Sequence, residues 1–190
     1  MILDRVLPFA RTIMEKAAGP NDIVVDATLG NGHDTVFLAN LVGPRGHVYG
    51  FDIQKQAIIN TRARLKEHNL EERVTIFHSG HEHVAELIPT LHHGEIKGAI
   101  FNLGYLPGGD KSIVTTPKTT LQAVQSLFDI LAPEGVIVLV IYHGHEEGAV
   151  ERDQLLSYLT EIDQKTAHVL QYQFINQKNH PPFIVAIEKK

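Results

Sequence analysis

At 190 residues with no cysteine and a formal net charge of −5, the chain is long enough to bury a full core, and disulfides, thiolate nucleophiles and thiolate metal sites are excluded. The acidic balance is not that of a protein that holds nucleic acid mainly by neutralising phosphates, although a local basic face can coexist with it and several of the twelve histidines can charge between about pH 5 and 8. No stretch approaches the ~20 apolar residues of a membrane span, and Asp4, Arg5, Arg11, Glu15 and Lys16 interrupt any signal-peptide run, so a cytoplasmic protein without membrane contact is expected.

Residues 3–18 read as an amphipathic helix with Pro8 in its first turn, ended by Gly19-Pro20. A strand at 23–27 and a helix at 34–41 follow, the helix stopping at Val42-Gly43-Pro44. Next come a strand at 47–51, a helix at 56–68, a strand at 74–78, a helix at 83–91 and a strand at 98–101. Thr116 caps a helix that has Pro117 at its first position and runs to residue 131, and Gly135 terminates it. A fifth strand covers 136–141, and a helix lies around 150–162. Strands at 168–175 and 183–188 are joined by a turn short enough to demand antiparallel pairing. Regular alternation of helix and strand, with no repeat or linker, predicts one domain over residues 1–190. Its fold class is α/β, a doubly wound Rossmann-like seven-stranded sheet closed by an antiparallel C-terminal hairpin.

The first strand runs into Asp26-Ala-Thr-Leu-Gly30-Asn31-Gly32-His-Asp34, a glycine-containing turn that opens a helix and lets backbone approach a ligand closely. It resembles the methyltransferase motif of an acidic residue followed by alternating glycines, which wraps the methionine and sugar of S-adenosylmethionine (AdoMet), with Thr28 where the first glycine often stands. As a dinucleotide fingerprint it fits less well, because Thr35 falls at the third glycine. Asp52 at the end of the second strand is placed to accept both ribose hydroxyl protons, with Gln54 just beyond it. After the third strand, Ser79 and His81 are the polar candidates to face an adenine amine.

The fourth strand enters Asn102-Leu-Gly-Tyr105-Leu-Pro-Gly-Gly-Asp110-Lys111. This looks like the Asn/Asp-Pro-Pro-Tyr motif of amino-group methyltransferases with Leu-Gly replacing the prolines. An attacking nitrogen must be neutral with its lone pair aimed, so Asn102 would orient it and Tyr105 stack on it. The alternative is a glycine-rich loop whose asparagine caps a turn. The fifth strand ends at Tyr142-His143-Gly-His145, where these side chains are candidates for proton acceptance or base stacking, and the turn around Asn179-His180-Pro-Pro borders the same edge. His81-x-His83 and His143-x-His145 also have zinc-ligand spacing, yet no motif completes a site, and no metal is expected. Arg62, Arg64 and Arg73 read as solvated faces.

Together, DATLGNGHDT, GFDIQ, SGHE, NLGYLPGGDK, IYHGHEEG and NHPPF resemble, over essentially the whole chain, the bacterial "putative rRNA methylase" family of class I AdoMet-dependent methyltransferases. That resemblance implies tRNA 5-aminomethyl-2-thiouridine methyltransferase activity at the wobble uridine, with AdoMet as cofactor and tRNA as partner. It implies Asn31, Asp34, Asp52, Gln54, Ser79 and His81 as AdoMet contacts. At the substrate end it implies Asn102, Tyr105, Tyr142, His143 and His145, with a histidine or Tyr142 taking the proton of an alkylamine. Methylation of ribosomal RNA or of a small amine, and a non-catalytic AdoMet-binding module, are the alternatives. So compact a chain leaves RNA recognition to a surface beside the crevice, extended by a second subunit if the protein is a homodimer.

Overall fold

The computed structural model describes residues 2–106, 108, 114–144 and 146–190. Strands β1 (Ile23–Asp26), β2 (His47–Asp52), β3 (Val74–His78), β4 (Ile96–Leu103), β5 (Leu131–Ile141), β6 (Ala167–Tyr172) and β7 (Phe183–Lys189) form one sheet in the order β3-β2-β1-β4-β5-β7-β6. The first five pair in parallel, whereas β7 runs antiparallel to both β5 and β6. Helices α1 (Val6–Ala17), α2 (His33–Val42), α3 (Lys55–Glu67), α4 (Val84–Leu87), α5 (Pro117–Ile130) and α6 (Glu146–Thr160) supply the crossovers and the N-terminal cover. Among the described residues no helix is long and apolar enough to cross a membrane.

Both faces of the sheet are apolar, so its central strands read as continuous hydrophobic runs rather than as alternations. Neighbouring residues divide between the faces with period two. Val25, Phe101, Leu139 and Val185 join the core under α5 and α6, whereas Val24, Ile100, Val138 and Ile184 join the core under α1 and α2. Phe51 and Phe101 are fully buried, each contributing on the order of 2 kcal/mol by removal from water.

Three local expectations change, the first being that α5 stops at Ile130 and Gly135 lies inside β5 instead of ending the helix. The helix expected at 83–91 is interrupted after Leu87, since Ile88 is extended (ψ 128°) ahead of Pro89, and only single 3₁₀ turns flank the break. Proline lacks the N–H to continue the ladder, and its ring pushes the preceding residue out of the helical region. Arg64 and Arg73 are not merely solvated, because they donate to the carbonyls of Asn31 (2.8 Å) and Ala39 (3.1 Å). The start of α5 is as read: Thr116 accepts the Thr119 N–H, with Pro117 at the first helical position.

Strand β1 has β2 on one side and β4 on the other, so successive connections leave it in opposite directions. A crevice opens at the carboxyl ends of the strands at such a switch point. The segments after β1, β2, β3 and β4 all reach it.

Candidate functional site

Two clefts meet at this crevice. The first, of about 200 Å³, is lined by Thr28, Gly30, Asp52, Gln54, His81 and Asn102 among others. The second, of about 620 Å³, is lined among others by Leu7, Arg11, Asp34, Asn102, Tyr105 and Tyr142, a volume within the range of small-molecule sites. Thr28, Gly30, Asn102, Gly104 and Tyr105 belong to both walls.

The turn between β1 and α2 is built around left-handed glycines. Gly30 has φ 53° and Gly32 φ 77°. A Cβ on Gly32 would lie 3.0 Å from the Thr61 Cα on α3, so the turn seats directly against that helix. Asn31 accepts from Asn60 Nδ2 at 2.9 Å, and its carbonyl takes the Arg64 bond, which braces the turn from α3. The departure of Thr28 from glycine has a structural reason: its Oγ1 accepts the Asn102 backbone N–H at 2.7 Å and so couples the ends of β1 and β4.

The two strand-end aspartates differ sharply. Asp52 lines the first cleft and accepts the N–H of Gly30 (3.0 Å) and of Gln54 (2.9 Å), one on each oxygen. Asp26 is fully buried beneath the turn and lines neither cleft. It accepts the Thr35 hydroxyl at 2.7 Å and the Thr28 N–H at 3.2 Å. Burial first, and the nearby charge of Asp34 second, push its carboxyl up to about 7. Asp26 holds the turn in place.

His81 is buried in the wall of the first cleft. Its Nδ1 is 3.2 Å from the Ala27 carbonyl and must donate, which leaves Nε2 as an acceptor; that atom is buried and has no partner among the described residues. Burial also holds the imidazole below its usual range, favouring the neutral ring. Ser79 instead bonds to the Gly80 carbonyl at 3.4 Å and does not line the cleft, whereas Glu82 does.

In the second cleft, Asn102 Nδ2 donates to Asp34 Oδ2 at 2.9 Å, while Arg11 on α1 donates to Asp34 Oδ1 through Nε (3.1 Å) and Nη2 (2.8 Å). Asp34, expected at the cofactor, thus sits on the other side of Asn102. Tyr142 lines this cleft, and burial followed by the Asp34 charge raises its phenol above the usual range. Tyr105 lines both clefts and pairs with Val114 across the loop after β4.

His143 is not brought to the crevice. Its Nε2 donates to the Pro181 carbonyl at 3.0 Å, its Nδ1 accepts from Arg152 at 3.3 Å, and its ring packs on Phe183. Burial and the Arg152 charge hold it below its usual range, so it is a neutral strut between β5 and the β6–β7 connection. His145, Asp110 and Lys111 lie outside the described residues.

Sequence reasoning missed Arg11, which entered only as one of the charges that interrupt a signal-peptide run. It also missed Glu151, a buried acid on α6 that accepts the hydroxyls of Thr115 and Thr120 at 2.6 Å each and anchors the segment entering α5. No local signal marks either residue, because their partners lie 23 or more positions away.

The chain shares its architecture with known proteins along its length. It is 43% identical to a crystal structure described as a "putative rRNA-methylase" from Clostridium thermocellum, covering all of both chains at a TM-score of 0.96. It is 37% identical to a structure described as "a putative methyltransferase" from Streptococcus mutans in complex with SAH, again over all of both chains, at a TM-score of 0.89. A tRNA (mnm(5)s(2)U34)-methyltransferase, chloroplastic, of Arabidopsis thaliana is 33% identical over 189 residues, which is 95% of this chain and 68% of that protein. The family model described as "Putative rRNA methylase" matches residues 48–188, and the chain belongs to that family.

Proposed function

We propose that this chain is an AdoMet-dependent N-methyltransferase acting on RNA, with one methyltransferase domain over residues 1–190. Its acceptor is 5-aminomethyl-2-thiouridine at the tRNA wobble position, converted to the 5-methylaminomethyl form. The observation that carries this reading is the junction of two clefts at Asn102, one equipped for a nucleoside and one for an amine. The relative named for this tRNA reaction and the SAH-bound neighbour support the acceptor and the cofactor respectively.

The first cleft fits AdoMet by its donor and acceptor set. Asp52 spends one lone pair on each oxygen and keeps capacity for two ribose hydroxyls. The unpartnered Nε2 of His81 is an acceptor suited to a purine amine, and Gln54 and Glu82 stand in the same wall. The Gly30-Asn31-Gly32 turn brings backbone close to the ligand. When bound, AdoMet supplies a methyl group on a sulfonium, open to attack by a nitrogen lone pair.

The chain's own residues prepare that nitrogen. Asn102 is fixed by Asp34 and by Thr28, and orients the acceptor between the two clefts. Tyr105 and Tyr142 form aromatic walls. Because its phenol titrates above the usual range, Tyr142 stays protonated near neutrality and acts as a donor and a surface rather than as a proton acceptor. Both nitrogens of His143 are engaged elsewhere, so it takes no part in proton removal.

The test is transfer of labelled methyl from AdoMet to total tRNA from a strain lacking the gene, with nucleoside mass spectrometry of the product. The expected result is conversion of 5-aminomethyl-2-thiouridine to its methylated form. Unlabelled tRNA, with SAH still bound by the protein, would sink the tRNA assignment and turn the search to ribosomal RNA and small amines.

A further inference from the structure

We propose that Asp34 is the specificity-determining group for the acceptor: its carboxylate pairs with the ammonium of an alkylamine, and Asn102 Oδ1 accepts a second N–H from the same nitrogen. The inference rests on the RNA N-methylation reading above and names the chemistry by which that site selects its acceptor.

Asp34 is the one acidic side chain among the described residues that line the second cleft. A carboxylate offers about four lone-pair sites. Arg11 occupies Oδ1 with two bonds and Asn102 occupies Oδ2 with one, which leaves capacity on Oδ2, the oxygen beside Asn102. The Asn102 amide has only one sensible orientation there. A carboxylate has no proton to give, so the amide nitrogen faces Asp34, and the amide oxygen is left as the second acceptor. One nitrogen bearing several N–H donors satisfies both oxygens together.

The electrostatics point the same way. The Asp34 side chain is only 17% exposed, so its charge is screened less than that of a surface acid. That charge reaches both sides of the crevice, raising the Tyr142 phenol in the cleft wall and the Asp26 carboxyl beneath the turn. Around it stand Tyr105, Tyr142 and Leu7, a setting in which a small cation gains from aromatic faces as well as from the carboxylate. A neutral ring amine needs only an acceptor, so a single asparagine suffices for it, and a neighbouring carboxylate adds selectivity for positive charge. Arg11, partly exposed on α1 and stacked over Phe37 at 5.2 Å, aims the carboxylate without covering Oδ2. Before transfer the bound ammonium gives one proton to solvent water. Its lone pair then forms the new bond to carbon as the carbon–sulfur bond of the donor breaks and SAH leaves, and the same carboxylate faces the nitrogen as it becomes positive again.

The experiment uses the full chain loaded with SAH and two anticodon-arm RNAs. One carries a 5-aminomethyl group at the wobble uridine and the other a 5-hydroxymethyl group of nearly the same shape. The wild type is expected to prefer the aminomethyl arm roughly tenfold or more, the range of a hydrogen bond to a charged group. Asp34→Asn should bind both arms alike while keeping its SAH affinity, because Asp34 lies outside the first cleft. Asp34→Glu should keep a preference for the aminomethyl arm, and it decides the matter if the asparagine variant does not fold. An undiminished preference in Asp34→Asn, or none in a folded Asp34→Glu, overturns the assignment of Asp34 and leaves the RNA reading standing. A wild type that binds SAH but treats both arms alike overturns this inference together with the acceptor on which it rests.

Discussion

Asn102 Nδ2 donates to Asp34 Oδ2 across 2.9 Å although the two residues are 68 positions apart. The bond ties the end of β4 to the first turn of α2, and it falls on the partition between the two clefts. Two of the acids that line the crevice therefore stand on opposite sides of it, Asp52 in the first cleft and Asp34 in the second. Substitutions at the two positions should be separable by which ligand they affect.

Asp52→Ala removes the acceptor for the Gly30 and Gln54 N–H groups as well as the one proposed for the ribose. Hydrogen bonds to a charged group contribute about 1.5–3 kcal/mol each, so the expected loss of SAH affinity is roughly 100-fold, measured by titration calorimetry. A loss under about threefold, well inside the contribution of a single such bond, would remove Asp52 from the cofactor site.

Gly32→Ala tests the packing that shapes the turn. The residue sits at φ 77°, and the added Cβ would approach the Thr61 Cα to 3.0 Å. Left-handed strain and the contact together should cost about 1–3 kcal/mol in urea denaturation. Gly19→Ala, whose Cβ meets nothing within 4 Å, is the control and should stay within about 0.5 kcal/mol. Equal effects at the two positions would count against the close α2–α3 seating.

Much of this architecture is legible in the sequence because parallel strands buried on both faces are written as apolar runs, such as Val136 to Ile141, punctuated by glycine and proline. The site is legible at the level of strand ends, since an open α/β sheet delivers ligand contacts there. What the pattern does not encode is direction. Asp26 and Asp52 both close a strand, yet one is buried under the turn and the other opens into the cleft. His143 follows a strand as Tyr142 does, but it turns toward Pro181. Pairings such as Arg11 with Asp34 depend on how α1 packs across the sheet, and no local spacing contains that. Pro89 was readable as a helix breaker, and the apolar run around it concealed the signal.

His143 separates a structural role from a chemical one. His143→Ala removes the donor to Pro181 and the acceptor for Arg152 and leaves space beside Phe183. Such losses typically cost about 1–3 kcal/mol, to be read by thermal or urea denaturation. With the variant kept below its melting range, methyl transfer should stay within about twofold of wild type, since a barrier change of 1.36 kcal/mol would be needed for tenfold. A fall in rate beyond tenfold at unchanged SAH affinity would return His143 to the reacting end.

Asp26 gives the fold a pH dependence whose sign follows from its burial. Its carboxyl titrates near 3.8 when unfolded and is raised to about 7 in the folded chain, chiefly by desolvation and then by the Asp34 charge. Between those values the folded state binds the extra proton, so stability falls as pH rises. The contribution is complete below about pH 4 and is lost once pH passes about 7. Asp26→Asn keeps the shape, the Thr28 N–H still finds an oxygen, and the Thr35 hydroxyl can rotate to accept from the new amide. Other titrating groups act on both proteins alike, so the informative quantity is the difference between the two stability curves. The variant should gain on the wild type by on the order of 3 kcal/mol as pH is raised from about 4 to about 8, measured by urea denaturation at several pH values. Parallel curves across that interval would mean that Asp26 ionises in the folded chain as freely as in the unfolded one, and that its burial beneath the turn costs the charged form nothing.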